Sequence, residues 1–173
     1  MKGIVIRCHQ MVYWPIPKVA CTTLKTYFAQ LQGIKFKGLV HGAPFEYTDA
    51  PIDGFFNFAY VRNPYDRLNS LYNEKIVKHK AHEKHLFKNA VYEGMSFYDF
   101  VQFVISDKNP DPHYNTQISQ IPVNGVELIK IETDPLIRIL PHQNVSMKVD
   151  NYDEQTKSMV RDHYYKDFLY LGY

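Results

Sequence analysis

The chain has 173 residues, 45% of them hydrophobic, enough apolar side chains for one sizeable core and, at this length, one domain over residues 1–173. Eight glycines and ten prolines are too few for a collagen-like or low-complexity chain, and two cysteines are too few for a disulfide-stapled miniprotein. With 20 Lys and Arg against 18 Asp and Glu, the charge balance excludes a general nucleic-acid coat or a polybasic membrane anchor, so any anionic partner has to be met locally.

In chain order, the first apolar run is Gly3-Ile4-Val5-Ile6, far short of the roughly 20 residues that span a bilayer. The N-terminus also lacks the long apolar region and small-residue cleavage site of a secretory leader. The expected compartment is the cytoplasm, where Cys8 and Cys21 stay reduced, having neither Cys-x-x-Cys nor zinc spacing. In that compartment the sequon Asn144-Val145-Ser146 is idle. Met11 to Ile16 suits a buried strand feeding a turn. A helix is predicted directly after it, capped by Thr22 or Thr23, with Leu24, Tyr27, Phe28 and Leu31 on one stripe before Gly33. Ile34 to Val40 reads as a short strand. Phe55 to Val61 is a near-continuous apolar run broken by Asn63-Pro64, after which Leu68, Leu71, Tyr72 and Ile76 repeat at helical spacing. Phe97, Phe100, Val101, Val104 and Ile105 mark a further helix under a Ser96 cap, Val126 to Ile131 a further strand, and Asp153 to Tyr164 a closing helix. Strands alternate with helices throughout, so the predicted architecture is a three-layer α/β fold, a mostly parallel sheet flanked by helices.

In such a sheet, ligands bind beyond the carboxyl ends of strands, where loops lead into helix N-termini. Two loops qualify. Pro17-Lys18-Val19-Ala20-Cys21-Thr22-Thr23-Leu24-Lys25 combines a loop lysine, two hydroxyls and a second lysine in the first turn of a helix. The helix amides and dipole attract an anion, and Lys18 can follow charge developing on a leaving oxygen. It is not a Walker loop, since no glycine lies between Pro17 and Lys25; an ordinary capped helix with surface lysines is the alternative. The second loop, Tyr60 to Tyr72, places Arg62 at a strand end before a proline-started helix. Arg62 can fork onto a phosphate and Ser70 can offer a hydroxyl to it, while Arg67 is expected to pair with a carboxylate. An Arg62 that merely caps a neighbouring helix is the alternative.

The first loop resembles the 5′-phosphosulfate loop of the carbohydrate (family 2 type) sulfotransferases, close to Pro-Lys-Val-Ala-Cys-Thr-Asn-Trp-Lys. Arg62-Asn63-Pro64-Tyr65-Asp66-Arg67-Leu68-Asn69-Ser70-Leu71-Tyr72 is similar to their 3′-phosphate motif, Arg-Asp-Pro-Phe-x-Arg-Leu-x-Ser-x-Tyr. Asn151-Tyr152 through Tyr164-Tyr165-Lys166-Asp167-Phe168 and Gly172-Tyr173 resemble the closing helix of the same family, so the resemblance runs from about Tyr13 to Tyr173. It implies a P-loop-NTPase-like sulfotransferase fold and transfer of a sulfuryl group from 3′-phosphoadenosine 5′-phosphosulfate (PAPS) to a hydroxyl, with adenosine 3′,5′-bisphosphate as product and no metal. By position, Lys18, Val19, Ala20, Cys21, Thr22, Thr23 and Lys25 would hold the 5′-phosphosulfate, and Arg62 with Ser70 the 3′-phosphate. The implied partners are that cofactor and a hydroxyl-bearing acceptor such as a glycan, with neither nucleic acid nor membrane.

A base is needed to take the acceptor proton, and the chain has eight histidines. His41, in Gly38-Leu39-Val40-His41-Gly42-Ala43, follows a predicted strand and resembles the catalytic histidine segment of heparan sulfate sulfotransferases; an imidazole pKa of about 6.5 suits proton abstraction. His113 is the competitor, in an Asp-x-His-x-x-x-Gln segment whose His113 and Gln117 are expected to line the acceptor side. Lys75, Lys78, Lys80, Lys84 and Lys88 with His79, His82 and His85 form the most basic stretch, able to attract an anionic glycan or simply to face solvent. Asn63 and Thr23-Leu24 depart from the family pattern, which puts loop geometry and cofactor affinity in question. A non-catalytic module binding nucleotides or sulfated glycans, a nucleotide phosphotransferase and a nucleic-acid binder are the competing readings. The missing Walker glycines count against the phosphotransferase and the near-zero net charge against the nucleic-acid binder.

Overall fold

The structure, a computed structural model, describes residues 1–78, 90–92, 94–141 and 150–173. Along the chain run β1 (Gly3–Ile6), β2 (Met11–Tyr13), α1 (Cys21–Leu31), β3 (Tyr47–Thr48), β4 (Phe56–Val61), α2 (Pro64–Tyr72), α3 (Phe97–Ser106), β5 (Glu127–Lys130), α4 (Pro135–Ile139), α5 (Glu154–His163) and α6 (Tyr165–Leu171). They fall into two compact units, the first made of Met1–Arg62 and Gln117–Asn144, the second of Asn63–Thr116 and Val145–Tyr173.

The first unit holds a five-stranded mixed sheet in the order β3-β1-β2-β4-β5. Its parallel portion, anticipated from the strand–helix alternation, is β2-β4-β5, and β1 and β3 extend it antiparallel. β1 and β2 form a hairpin with Ile4 opposite Tyr13 and Ile6 opposite Met11. The chain reverses at Gln10, which takes a left-handed φ of 49° and donates its N–H to the Arg7 carbonyl at 3.1 Å. All four residues of β1 are buried, so the strand has no polar alternation and its sequence shows only an apolar run.

Tyr13 lies opposite Phe58 in the parallel pair, and residues two apart share a face, so Tyr13, Phe58 and Tyr60 form one aromatic surface. α1 covers it: the Phe28 ring stands 5.2 Å from Tyr13 and 6.0 Å from Phe58 between centroids, in tilted and edge-on arrangements. Burying aromatic and aliphatic side chains of this kind contributes roughly 1.5–3 kcal/mol each.

Two expectations need correction here. Residues 34–39 form no strand: the edge beside β1 is taken by β3, Gly38 turns through a φ of 78°, and the buried Val40 opens a short 3-10 turn over Val40–Gly42. Thr22 and Thr23 do not cap α1 but lie within its first turn. The capping position belongs to Ala20, in left-handed geometry (φ 49°, ψ 23°) and with no side-chain cap, and its carbonyl accepts the Leu24 N–H at 3.0 Å.

The second unit is helical. α2 begins at Pro64, whose missing N–H costs nothing at a first-turn position, and widens into a π-type turn over Asn73–Val77. Leu68, Leu71 and Tyr72 from α2 pack with Phe97, Phe100, Val101 and Val104 from α3 and Val160 from α5. Ser96 caps α3 through its hydroxyl, which accepts the Asp99 N–H at 3.1 Å. Asp153 and Thr156 close a reciprocal capping box at the start of α5. Among the described residues no helix is long and apolar enough to cross a membrane.

Gly3 is the tightest point of the sheet. A Cβ there would stand 2.7 Å from Val12 Cγ1 and 3.0 Å from two ring carbons of Trp14, so Gly3→Ala must displace buried side chains. The expected loss is about 1–3 kcal/mol, read as a lower urea midpoint with an unchanged slope; an unchanged midpoint would contradict this packing.

Candidate functional site

In the first unit, the segment from Trp14 to Ala20 leaves the carboxyl end of β2 and enters α1. The Trp14 N–H still reaches the Phe58 carbonyl at 2.9 Å, after which Pro15 and Pro17, lacking N–H groups, end the ladder. Val19 is fully buried and anchors the loop, its N–H on the Ile16 carbonyl at 3.3 Å. On either side of it Lys18 and Ala20 take positive φ values of 67° and 49°, a conformation costing about 1–2 kcal/mol for a residue with a Cβ. Ala20 leads directly into α1, whose first-turn N–H groups have no intrahelical partner and suit an anion. Cys21, half-buried and a free thiol, opens α1, and Thr22 and Thr23 follow in its first turn.

Arg62, one residue past β4, reaches this loop: its Nη1 donates to the Lys18 carbonyl at 3.2 Å. His41 approaches from the 3-10 turn, with Nε2 3.3 Å from Thr22 Oγ1 and Nδ1 3.3 Å from Lys25 Nζ. An ammonium only donates. The imidazole lone pair therefore faces Lys25 from Nδ1, and the Nε2 proton faces Thr22. Burial holds the Lys25 amine below its usual range, opposed by the neighbouring Cys21.

Gln117 is fully buried. Its Oε1 accepts the Arg62 N–H at 2.9 Å and its Nε2 donates to the Arg62 carbonyl at 2.7 Å, so the amide expected to face an acceptor is engaged with the main chain of Arg62. Nearby in the same unit, Tyr60 donates to Asp134 Oδ2 at 3.2 Å, and burial, with Asp134 beside it, pushes the Tyr60 phenol well up. The Tyr13 hydroxyl is buried without a hydrogen-bond partner, and burial raises its pKa strongly.

The model of the Sulfotransferase family, family 2 type, matches residues 2–124. The chain belongs to the sulfotransferase family. No curated protein and no solved structure matches it. The matched region carries both phosphate-type loops, His41 and Gln117, and ends before β5, so the closing-helix resemblance lies outside it. A sulfotransferase needs a nucleotide donor and an acceptor, and the loop from Lys18 to Lys25 offers backbone N–H groups, hydroxyls and ammonium groups suited to an anionic donor. Among the described residues no group of three or more His, Cys, Asp and Glu could hold a metal ion.

The remaining sequence-predicted residues of this sulfotransferase lie in the second unit. Ser70 is buried on α2. Asn63, where the family pattern has Asp, still caps α2, its Oδ1 accepting the Tyr65 N–H at 2.9 Å; Asn and Asp cap equally well. The guanidinium of Arg67 donates to the carbonyls of Asn115 at 2.7 Å and Pro112 at 2.9 Å. His113 sits on Asp111, whose Oδ1 lies 2.6 Å from the ring Nδ1 and accepts the His113 N–H at 2.9 Å. Burial pulls the Asp111 carboxyl up, but these hydrogen bonds outweigh it and hold the group below its usual range. Lys75 does not face solvent: its side chain is 6% exposed and pairs with Glu74 at 3.3 Å. Lys78 is exposed. His79, Lys80, His82, Lys84, His85 and Lys88, like the Asn144 sequon, lie outside the described residues.

The Lys25–His41 and Gln117–Arg62 pairings carry no local sequence signal, while Asp111-x-His113 does have a spacing at which a side chain bonds the backbone two residues on. Because burial lowers the Lys25 pKa, the folded protein releases that proton at lower pH than the unfolded chain. Stability then rises as pH climbs from the folded value toward the usual 10.5. Lys25→Met removes this slope, so its stability relative to wild type should be higher at pH 7 than at pH 10.5 in urea titrations. A difference constant with pH would contradict the burial argument.

Proposed function

We propose that this sulfotransferase uses PAPS as donor and transfers the sulfuryl group to a hydroxyl of a carbohydrate acceptor by in-line displacement. The observation that carries the reading is that one hydrogen-bonded cluster in the first unit joins the left-handed Lys18–Ala20 loop, the start of α1, His41 and Arg62. The carbohydrate acceptor rests on the motif resemblance.

When bound, the donor supplies an activated sulfuryl group whose S–O bond to the 5′-phosphate breaks as the acceptor oxygen bonds to sulfur. The chain's residues do the rest. The amides from Ala20 to Thr23 at the start of α1 and the helix dipole hold the 5′ anion, and Lys18 neutralises charge gathering on the departing phosphate oxygen. Arg62 takes the 3′-phosphate through charge-assisted hydrogen bonds. His41 receives the acceptor proton at Nδ1, the nitrogen that faces Lys25 in this structure, once that ammonium turns to the bound anion. The proton on Nε2 stays with Thr22.

The close approach of Lys25 to the His41 lone pair also favours a second reading, in which the same crevice binds nucleotide without catalysis. The two separate in variants assayed with PAPS and with desulfated chondroitin and heparosan. His41→Ala should keep its affinity for adenosine 3′,5′-bisphosphate within about twofold and lose at least about a hundredfold in turnover. Lys18→Ala and Arg62→Ala should each lose about ten- to a hundredfold in affinity. Full turnover in His41→Ala removes the base assignment, and tight binding with no release of bisphosphate under any acceptor supports the binding module.

A further inference from the structure

The buried amide of Gln117 and the main chain of Arg62 form a two-bond clamp between residues 55 positions apart. Its placement follows from the ladder of β4. The Phe58 carbonyl accepts the Trp14 N–H on the β2 side, and the Val61 carbonyl accepts the Ile131 N–H on the β5 side. Alternation turns the N–H and carbonyl of Arg62 to the β2 side. There β2 has already ended at Tyr13 and the chain has turned away through Pro15 and Pro17, so no strand remains to pair with Arg62. A side-chain amide carries one donor and one acceptor at peptide spacing, and Gln117 supplies both.

Arg62 is thereby held at its two ends, its peptide groups by Gln117 and its guanidinium by the Lys18 carbonyl. Arg62 is also the last residue of the first unit before the chain leaves it, and Gln117 the first on its return. The clamp therefore fixes the point from which the Arg62 side chain projects, at the position where the sheet itself no longer does so.

We infer that Gln117 is a positioning residue that sets selectivity for the 3′-phosphate of the donor by holding Arg62 extended, rather than an acceptor ligand; the inference rests on Arg62 binding that phosphate. A residue that merely supported the fold would weaken all nucleotides alike. The test is calorimetric titration of wild type, Gln117→Met and Gln117→Asn with adenosine 3′,5′-bisphosphate and with adenosine 5′-monophosphate. Methionine keeps the length without hydrogen bonding, and asparagine keeps the amide one methylene short. Where one variant fails to fold, the other carries the comparison, with circular dichroism as the check.

Both variants should lose about tenfold in affinity for the bisphosphate and keep the monophosphate within about twofold. Adding Gln117→Met to Arg62→Ala should cost nothing further, because the clamp acts only through Arg62. Equal losses for both nucleotides, or an unchanged bisphosphate affinity, overturn the inference. A wild type that does not prefer the bisphosphate instead overturns the reading of Arg62, a result distinguishable from a wild-type preference that survives in the variants.

Discussion

The guanidinium of Arg62 on the Lys18 carbonyl is the contact on which the anion-binding arrangement proposed for the first unit depends. It joins the end of β4 to the loop after β2, two segments that the parallel ladder brings side by side but stops bonding at Trp14. Buried Trp14, Ile16 and Val19 anchor the loop from below, and the Arg62 contact ties its Lys18 carbonyl to the end of β4. The contact falls on Lys18, one of the two left-handed residues of the loop, where a second point of attachment offsets the backbone strain. An arginine suits this place because its planar fork can bond a carbonyl with one edge while presenting other donors elsewhere.

That arrangement is strained and partly desolvated. Lys18 and Ala20 bear Cβ atoms in a region that favours glycine, Lys25 is charged where burial disfavours charge, and α1 begins without a side-chain cap. The stabilisation that offsets these costs lies a few residues away, in the tilted and edge-on rings of Tyr13, Phe28, Phe58 and Tyr60 and in the fully buried β1. A rigid aromatic sheet face beneath a loop of unfavourable backbone geometry is the pattern expected where binding requires preorganised donors.

Much of this was legible in the sequence where the signal is local. The spacing of Leu24 and Phe28, and of Leu68 and Leu71, marks helices because one face of each is buried. Lys18 and Arg62 could be singled out because each stands between an apolar run and a helix start. Partner choice was not legible. The run from Ile34 to Val40 has the composition of a strand but pairs with none of the sheet, while Gly3–Ile6 lies between β2 and β3 as β1. Thr22 and Thr23 are cap-type residues, yet Ala20 in left-handed geometry starts the helix before them. Gln117 could be singled out by its motif, but its contact with Arg62 could not, because that residue lies 55 positions away and nothing in the neighbours of Gln117 records it.

The central claim is that the first unit binds a nucleotide carrying both a 5′ anion and a 3′-phosphate. The most direct measurement is a calorimetric titration of the wild-type protein with adenosine 3′,5′-bisphosphate set against ATP under the same conditions. The account predicts that the bisphosphate binds at least about tenfold more tightly, since Arg62 meets a phosphate that ATP lacks. ATP binding as tightly or more tightly, or no binding of either, would contradict it.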